Sequence, residues 1–128
     1  MEPFIDDLNK NPRSKYCWMI VLKSTSQVAG MCGMTLSNDR FKMAELFYKL
    51  YPVFWGKGFA TETTKRMIRL GFEELKLHRI EAGVEVNNLA SIRVLEKAGM
   101  TNEGIRRKIL PIRGEWIDSL HFAILEDG

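Results

Sequence analysis

At 128 residues and 45% hydrophobic content, the chain is long enough for one compact domain and short for two. Its 19 basic and 16 acidic residues leave a net charge of +3, which suits anionic ligands but falls short of a nucleic-acid binder's basic surface. No apolar run nears the roughly 18 residues of a membrane span, and the N-terminus lacks the basic start and apolar core of a secretion signal, so a cytoplasmic protein with no nucleic-acid or membrane partner is expected.

Residues 3 to 9 read as a short helix, and Asn11-Pro12-Arg13-Ser14 as a loop, because proline and small polar residues interrupt any period. "CWMIVLK" (17 to 23) and "VAGMCGMTL" (28 to 36) are β-rich runs joined by Ser24-Thr25-Ser26-Gln27, a hairpin pattern. "AELFYKLYP" (44 to 52) makes a third strand that stops at Pro52. From Thr61 to Leu75 the period changes. Thr64, Met67, Ile68, Gly71 and Leu75 share one helical face, and Lys65, Arg66 and Arg69 lie mostly on the other.

"HRIEAGVEV" (78 to 86) is another strand, and Ala90 to Ala98 a second helix, with Gly99 as its left-handed cap. Two last strands, about 100 to 108 and 116 to 125, flank a turn containing Pro111 and Gly114. The order of elements is α/β, without internal repeats. Cys17 and Cys32 have no CxxC spacing and no nearby histidine, so they are expected as buried free thiols. With His78 and His121 as the only histidines, no metal site is expected.

One stretch raises a ligand question. "VFWGKGFATE" (53 to 62) sets Gly56 and Gly58 around Lys57 between a strand and a helix. Main-chain N–H groups at a helix start lack partners and favour anions, and glycines let the backbone approach a phosphate closely. The spacing fits neither GxxxxGK[ST] nor a complete dinucleotide fingerprint, so ATP and NAD readings lose ground. A plain strand-to-helix turn and a phosphate cradle both remain open on these residues alone.

Read together, "YPVFWGKGFATE", "HRIEAGVEVNNLASIRVLEKAGM", "EGIRR" and "RGEWIDSLHFAIL" resemble the GNAT acetyltransferase superfamily, nearest its Rim-type, ribosomal-protein N-terminal branch. The resemblance runs from about Trp18 to Leu125. It implies a mixed, mostly antiparallel sheet whose strands at 44–51 and 78–86 splay apart, with flanking helices and apparently without the usual first strand and helix. It also implies an acetyl-CoA-dependent enzyme acting on a primary amine, either a protein N-terminus or a small molecule. A non-catalytic acyl-CoA-binding module is the alternative.

By that resemblance Lys57, Gly58, Phe59, Ala60 and Thr61 cradle the CoA pyrophosphate. Trp55 and Gly56 belong to the same loop, with Trp55 where the superfamily more often has Gln or Arg. Leu50 and Tyr51 lie beside the pantetheine arm, which Asn88 contacts. Ser91, in N-x-x-S, is the candidate proton donor to the leaving sulfur, because Leu95 stands where many relatives carry a tyrosine. Its bland alternative is a helix cap. Glu45 is the candidate base, or else a solvated carboxylate or a partner of Arg40. Asp118 is expected in a structural or substrate-facing role and Trp116 in a cofactor or substrate wall. An apparently unpaired hairpin edge makes a homodimer the expected assembly.

Overall fold

The computed structural model describes residues 3–7, 15–37 and 41–127, with side chains described from Lys15 onward. Among these residues the strands are β1 (Pro3–Asp7), β2 (Lys15–Leu22), β3 (Val28–Leu36), β4 (Met43–Leu50), β5 (Arg79–Glu85), β6 (Thr101–Ile112) and β7 (Glu115–Leu125). Helix α1 (Phe59–Glu73) connects β4 to β5, and α2 (Leu89–Lys97) connects β5 to β6. One sheet holds all the strands in the order β1-β2-β3-β4-β5-β7-β6. Every neighbouring pair is antiparallel except β4 and β5, so the mixed α/β class expected from sequence is the one observed.

The parallel pair is short. Met43, Ala44 and Glu45 pair with Arg79, Ile80 and Glu81, and no further rung joins the two strands. Beyond it β4 continues to Leu50 and β5 to Glu85, each leading towards a helix, which leaves a gap at the carboxyl ends of both strands. This is the expected splay, and such crevices are where open α/β sheets commonly bind ligands.

Alternation along the strands sends one set of side chains to the helices. Ile20, Cys32, Met34, Leu46, Leu50, Ile80 and Phe122 join Phe59, Met67 and Ile68 of α1 and Leu95 of α2 in one buried cluster. Each large side chain fully withdrawn from water contributes about 1.5–3 kcal/mol. Cys32 lies in this layer, where burial and the neighbouring Cys17 push its thiol up to about 12. Both cysteines are free, Cys32 buried and Cys17 half-buried. After α2, Gly99 takes the left-handed φ of 95° expected of it.

Two expectations fail here. Pro3–Asp7 is a strand, paired antiparallel with Trp18–Leu22, and not the start of a helix. Five residues are too few for a self-supporting helix, and hydrogen bonds to an existing edge outweigh the local preference. Proline is tolerated there because it opens an edge strand. β1 also covers the β2 edge on which the dimer argument rested. Pro111 lies inside β6, opposite Trp116, and not in the turn. β6 is the other edge of the sheet, so it can carry a residue without an N–H. The segment 11–14 falls outside the described residues.

Gly30 sits where β3 meets the end of β4, opposite Leu50. A Cβ there would lie 2.0 Å from the Lys49 carbonyl oxygen and 2.8 Å from Leu50 Cα, both backbone atoms. Gly30→Ala is therefore expected to destabilise the fold by about 1–3 kcal/mol, the usual cost of overpacking, read as a lowered urea midpoint.

Candidate active site

The gap between β4 and β5 opens into a cleft of about 610 Å³, lined by the end of β4, the loop after it, the first turn of α1 and one face of α2. Of the residues singled out from sequence, Leu50, Tyr51, Trp55, Gly56, Gly58, Phe59, Ala60, Thr61, Asn88 and Ser91 line it. Lys57 does not. It is exposed.

The loop is built by three local devices. Tyr51 N–H donates to Ala29 O at 2.9 Å, holding the end of β4 against β3. Pro52–Phe54 forms a 3-10 turn. The Trp55 indole N–H then reaches back to Leu50 O at 2.9 Å, although the ring is 64% exposed. Gly58 caps α1 with a φ of 81° and no side-chain hydrogen bond. A side chain there would meet no protein atom within 4 Å, so glycine is required by backbone conformation and by the open space kept in front of the turn.

The first intrahelical bond of α1 is Glu62 N–H to Gly58 O, so Phe59, Ala60 and Thr61 carry N–H groups without a helical acceptor. The helix dipole adds partial positive charge at the same place. Across the cleft, Arg93 and Lys97 stand one turn apart on α2 and supply full cationic charge. The sequence reading missed both, although their i,i+4 spacing marks a shared face.

The β4 wall offers main-chain groups as well. In the antiparallel β3–β4 register, Ala29 with Tyr51 and Ser37 with Met43 are hydrogen-bonded pairs, so odd-numbered residues of β4 bond to β3. Strict alternation turns the N–H and C=O of Leu46 and Tyr48 and the N–H of Leu50 towards β5, which past Glu45 means towards the gap, while Leu50 O is the acceptor of the Trp55 indole.

Asn88 is the N-cap of α2, its Oδ1 accepting from Ser91 N–H at 3.1 Å. The cap is thus Asn88, and Ser91 has its hydroxyl available. That hydroxyl accepts from Tyr48 Oη at 3.2 Å, a contact between residues 43 positions apart. Burial raises the Tyr48 phenol above its ordinary value. Tyr48 was not recognised from sequence. The signal was its period-two spacing from Leu50, which puts both side chains on the helix-facing side of β4.

Glu45 belongs to the opposite side of the sheet. It lines a smaller depression with Thr35, Ser37, Met43 and Glu81. Its Oε2 lies 3.7 Å from where a Gly83 Cβ would stand, and Ser119 Oγ 3.3 Å. Arg40, its suggested partner, is outside the described residues. Arg79 on this face bonds Glu81 at 2.6 Å and Glu103, holding the Glu103 carboxyl below the usual carboxylate range. His121, 9% exposed, brings Nε2 within 3.3 Å of Arg106 Nη2. His78 pairs with Glu126 at 3.0 Å in the open. Asp118 Oδ1 accepts Lys108 N–H at 2.8 Å across the β6–β7 hairpin. Trp116 is exposed on that hairpin and is not among the residues that line this cleft.

The family model described as an acetyltransferase (GNAT) domain matches residues 2–101. The chain is 36% identical over 126 residues to "Uncharacterized N-acetyltransferase p20" of Bacillus licheniformis, covering 98% of this chain and 70% of that protein. It is 56% identical over 112 residues to "Probable N-acetyltransferase YjcK" of Bacillus subtilis, covering 87% of this chain and 62% of that one. Among solved structures, a ribosomal-protein-S5-alanine acetyltransferase from Vibrio fischeri superposes with a TM-score of 0.83 at 26% identity, over 88% of this chain and 62% of its own. The chain therefore spans less than two thirds of the length of the last two.

The Trp55 bond fixes the loop to the strand end, and Trp55→Phe keeps the ring while removing the N–H. Its expected cost is about 1 kcal/mol, the net worth of one hydrogen bond, measured as a shift in urea midpoint at unchanged m-value.

Proposed function

The chain belongs to the acetyltransferase (GNAT) family, and from that premise we propose that it moves an acetyl group from acetyl-CoA to a primary amine by direct attack in a ternary complex. The observation that carries this reading is the cleft at the β4–β5 split, with an uncapped helix start at one end and the Asn88–Ser91 turn along its wall. Its volume is within the ordinary range for small-molecule sites. Its walls match the parts of the donor: partnerless N–H groups and two cationic side chains for phosphates, main-chain groups of β4 for an amide-bearing arm, and Leu50, Phe54, Trp55 and Phe59 for apolar contact.

Within this proposal Phe59, Ala60 and Thr61 bind pyrophosphate oxygens through the backbone, and Gly56 and Gly58 keep the approach open. Lys57 adds only a peripheral charge. Asn88, whose Oδ1 is engaged in capping, has its amide N–H groups left to meet the arm. Bound acetyl-CoA supplies an activated acyl group: the carbon–nitrogen bond forms, the carbon–sulfur bond breaks, sulfur keeps the electron pair and the amine releases a proton. Ser91 faces the cleft from the helix side and is assigned to the sulfur. Glu45 lies at the last paired rung on the other face and is assigned to the acceptor side, as the base that takes the amine proton. The Vibrio fischeri neighbour supports a Rim-type acceptor, a peptide N-terminus, ahead of a small-molecule amine.

CoA is expected to raise the melting temperature, and acetyl-CoA with a panel of N-terminal peptides and small amines to release free thiol. Binding without thiol release across the panel points to the non-catalytic module, and no thermal shift at all removes both. Gly58→Val is expected to weaken CoA binding at least tenfold, about 1.4 kcal/mol, by calorimetric titration. Lys57→Ala should stay within about threefold, as befits one exposed charge. A Gly58 variant with normal affinity would return the loop to a plain turn.

A further inference from the structure

The pair Tyr48 and Ser91 has a directionality that the assignments above do not use. A serine hydroxyl has one hydrogen to give and lone pairs to accept with. Tyr48 Oη and Ser91 Oγ lie 3.2 Å apart, and the phenol is the more acidic hydroxyl and the better donor, so we take Tyr48 to donate, which fills one serine lone pair and turns the Ser91 hydrogen elsewhere. A helical serine often turns that hydrogen back to the carbonyl four residues earlier, here Asn87. Among the described residues Ser91 Oγ makes no such bond, and its own N–H is held by Asn88. Both side chains line the cleft, so the hydrogen is left facing into it.

The surroundings allow few substitutes. Leu95, one turn further along α2, is buried in the core. Ser119 gives its hydroxyl to Val84 O at 3.3 Å, and Thr64 to Ala60 O at 2.8 Å. Tyr51 is largely exposed beyond the end of β4. Tyr48 is half-buried on β4 facing α2, and desolvation keeps its phenol protonated across neutral pH, so its hydrogen stays available to Ser91.

We propose that Tyr48 is a positioning residue that locks the Ser91 hydroxyl as a hydrogen-bond donor into the cleft, aimed at the sulfur of CoA. The inference rests on the acetyl-CoA reading above. A bond donated to the sulfur favours its charged form, and a donor that is itself accepting a hydrogen bond is strengthened. Tyr48 needs no net proton transfer for this. Its phenol is a weaker acid than a thiol, so its part is to orient and polarise, while water completes protonation of the departing sulfur.

The test is the ionisation of the CoA thiol itself, followed by thiolate ultraviolet absorbance with CoA saturating and no acceptor present. Wild-type protein is expected to hold the thiol pKa below that of free CoA. Tyr48→Phe should raise it by about one unit, the order of one charge-assisted hydrogen bond. Ser91→Ala should raise it as much, and the double variant no further, since the two act as one unit. In turnover, Tyr48→Phe should lower kcat about tenfold with the KM for acetyl-CoA unchanged. A Tyr48→Phe protein that binds CoA with the wild-type thiol pKa overturns the inference, as do additive effects of the two substitutions. A Tyr48 that merely packs would change the urea midpoint and leave the thiol pKa alone. Failure of wild-type protein to bind CoA removes the acetyl-CoA reading itself, and this inference with it.

Discussion

The cleft exists because two parallel strands stop pairing after Glu45 and Glu81. Up to that rung β4 and β5 satisfy each other, and beyond it each has only one neighbour, β3 for β4 and β7 for β5. Backbone groups on the inner edges would be costly if sealed from water without partners. The fold resolves this by leaving the gap open and setting a helix start at the end of each strand. The same split that creates unsatisfied donors thus gathers them, with two helix starts, around one volume.

The loop between β4 and α1 has to turn sharply without filling that volume. The indole of Trp55 bonds back to Leu50 O, and the left-handed Gly58 redirects the chain into α1 with nothing standing before it. Charge comes mainly from elsewhere. Lys57, the residue most conspicuous in the sequence, is exposed and does not line the cleft, and the cations that do line it are Arg93 and Lys97 on α2. What the loop offers the cleft is therefore backbone geometry more than the lysine between the glycines.

What was legible in the sequence follows from what periodicity can carry. The apolar face of α1, the β4 and β5 runs and the glycine turn are local patterns, and they appear within a residue or two of where they were read. The misses are tertiary. Pro3–Asp7 is a strand because β2 offers an edge, and Pro111 is tolerated in β6 because that strand lies at the other edge. No window of sequence contains either neighbour. Trp116 follows a recognisable W-x-D pattern, yet its place on an exposed hairpin depends on how far β6 and β7 run past the sheet. Tyr48 was hidden most completely, since its meaning lies in a hydroxyl 43 residues away.

The two faces of the split are chemically unlike, and that difference orders the site. On the helix side the polar groups are neutral hydroxyls, two helix starts and the cations Arg93 and Lys97, set among apolar side chains of the cleft wall. On the other side Arg79 is committed to Glu81 and Glu103, and His121 is buried among the same groups. Glu45 stands beside this cluster, at the rung it shares with Glu81. Helix starts and cations thus border one face of the break, and an ion-paired acidic cluster the other. The break in the sheet is where the two faces meet, and hydrogen bonding between β4 and β5 would have closed it had the parallel pairing run two residues further.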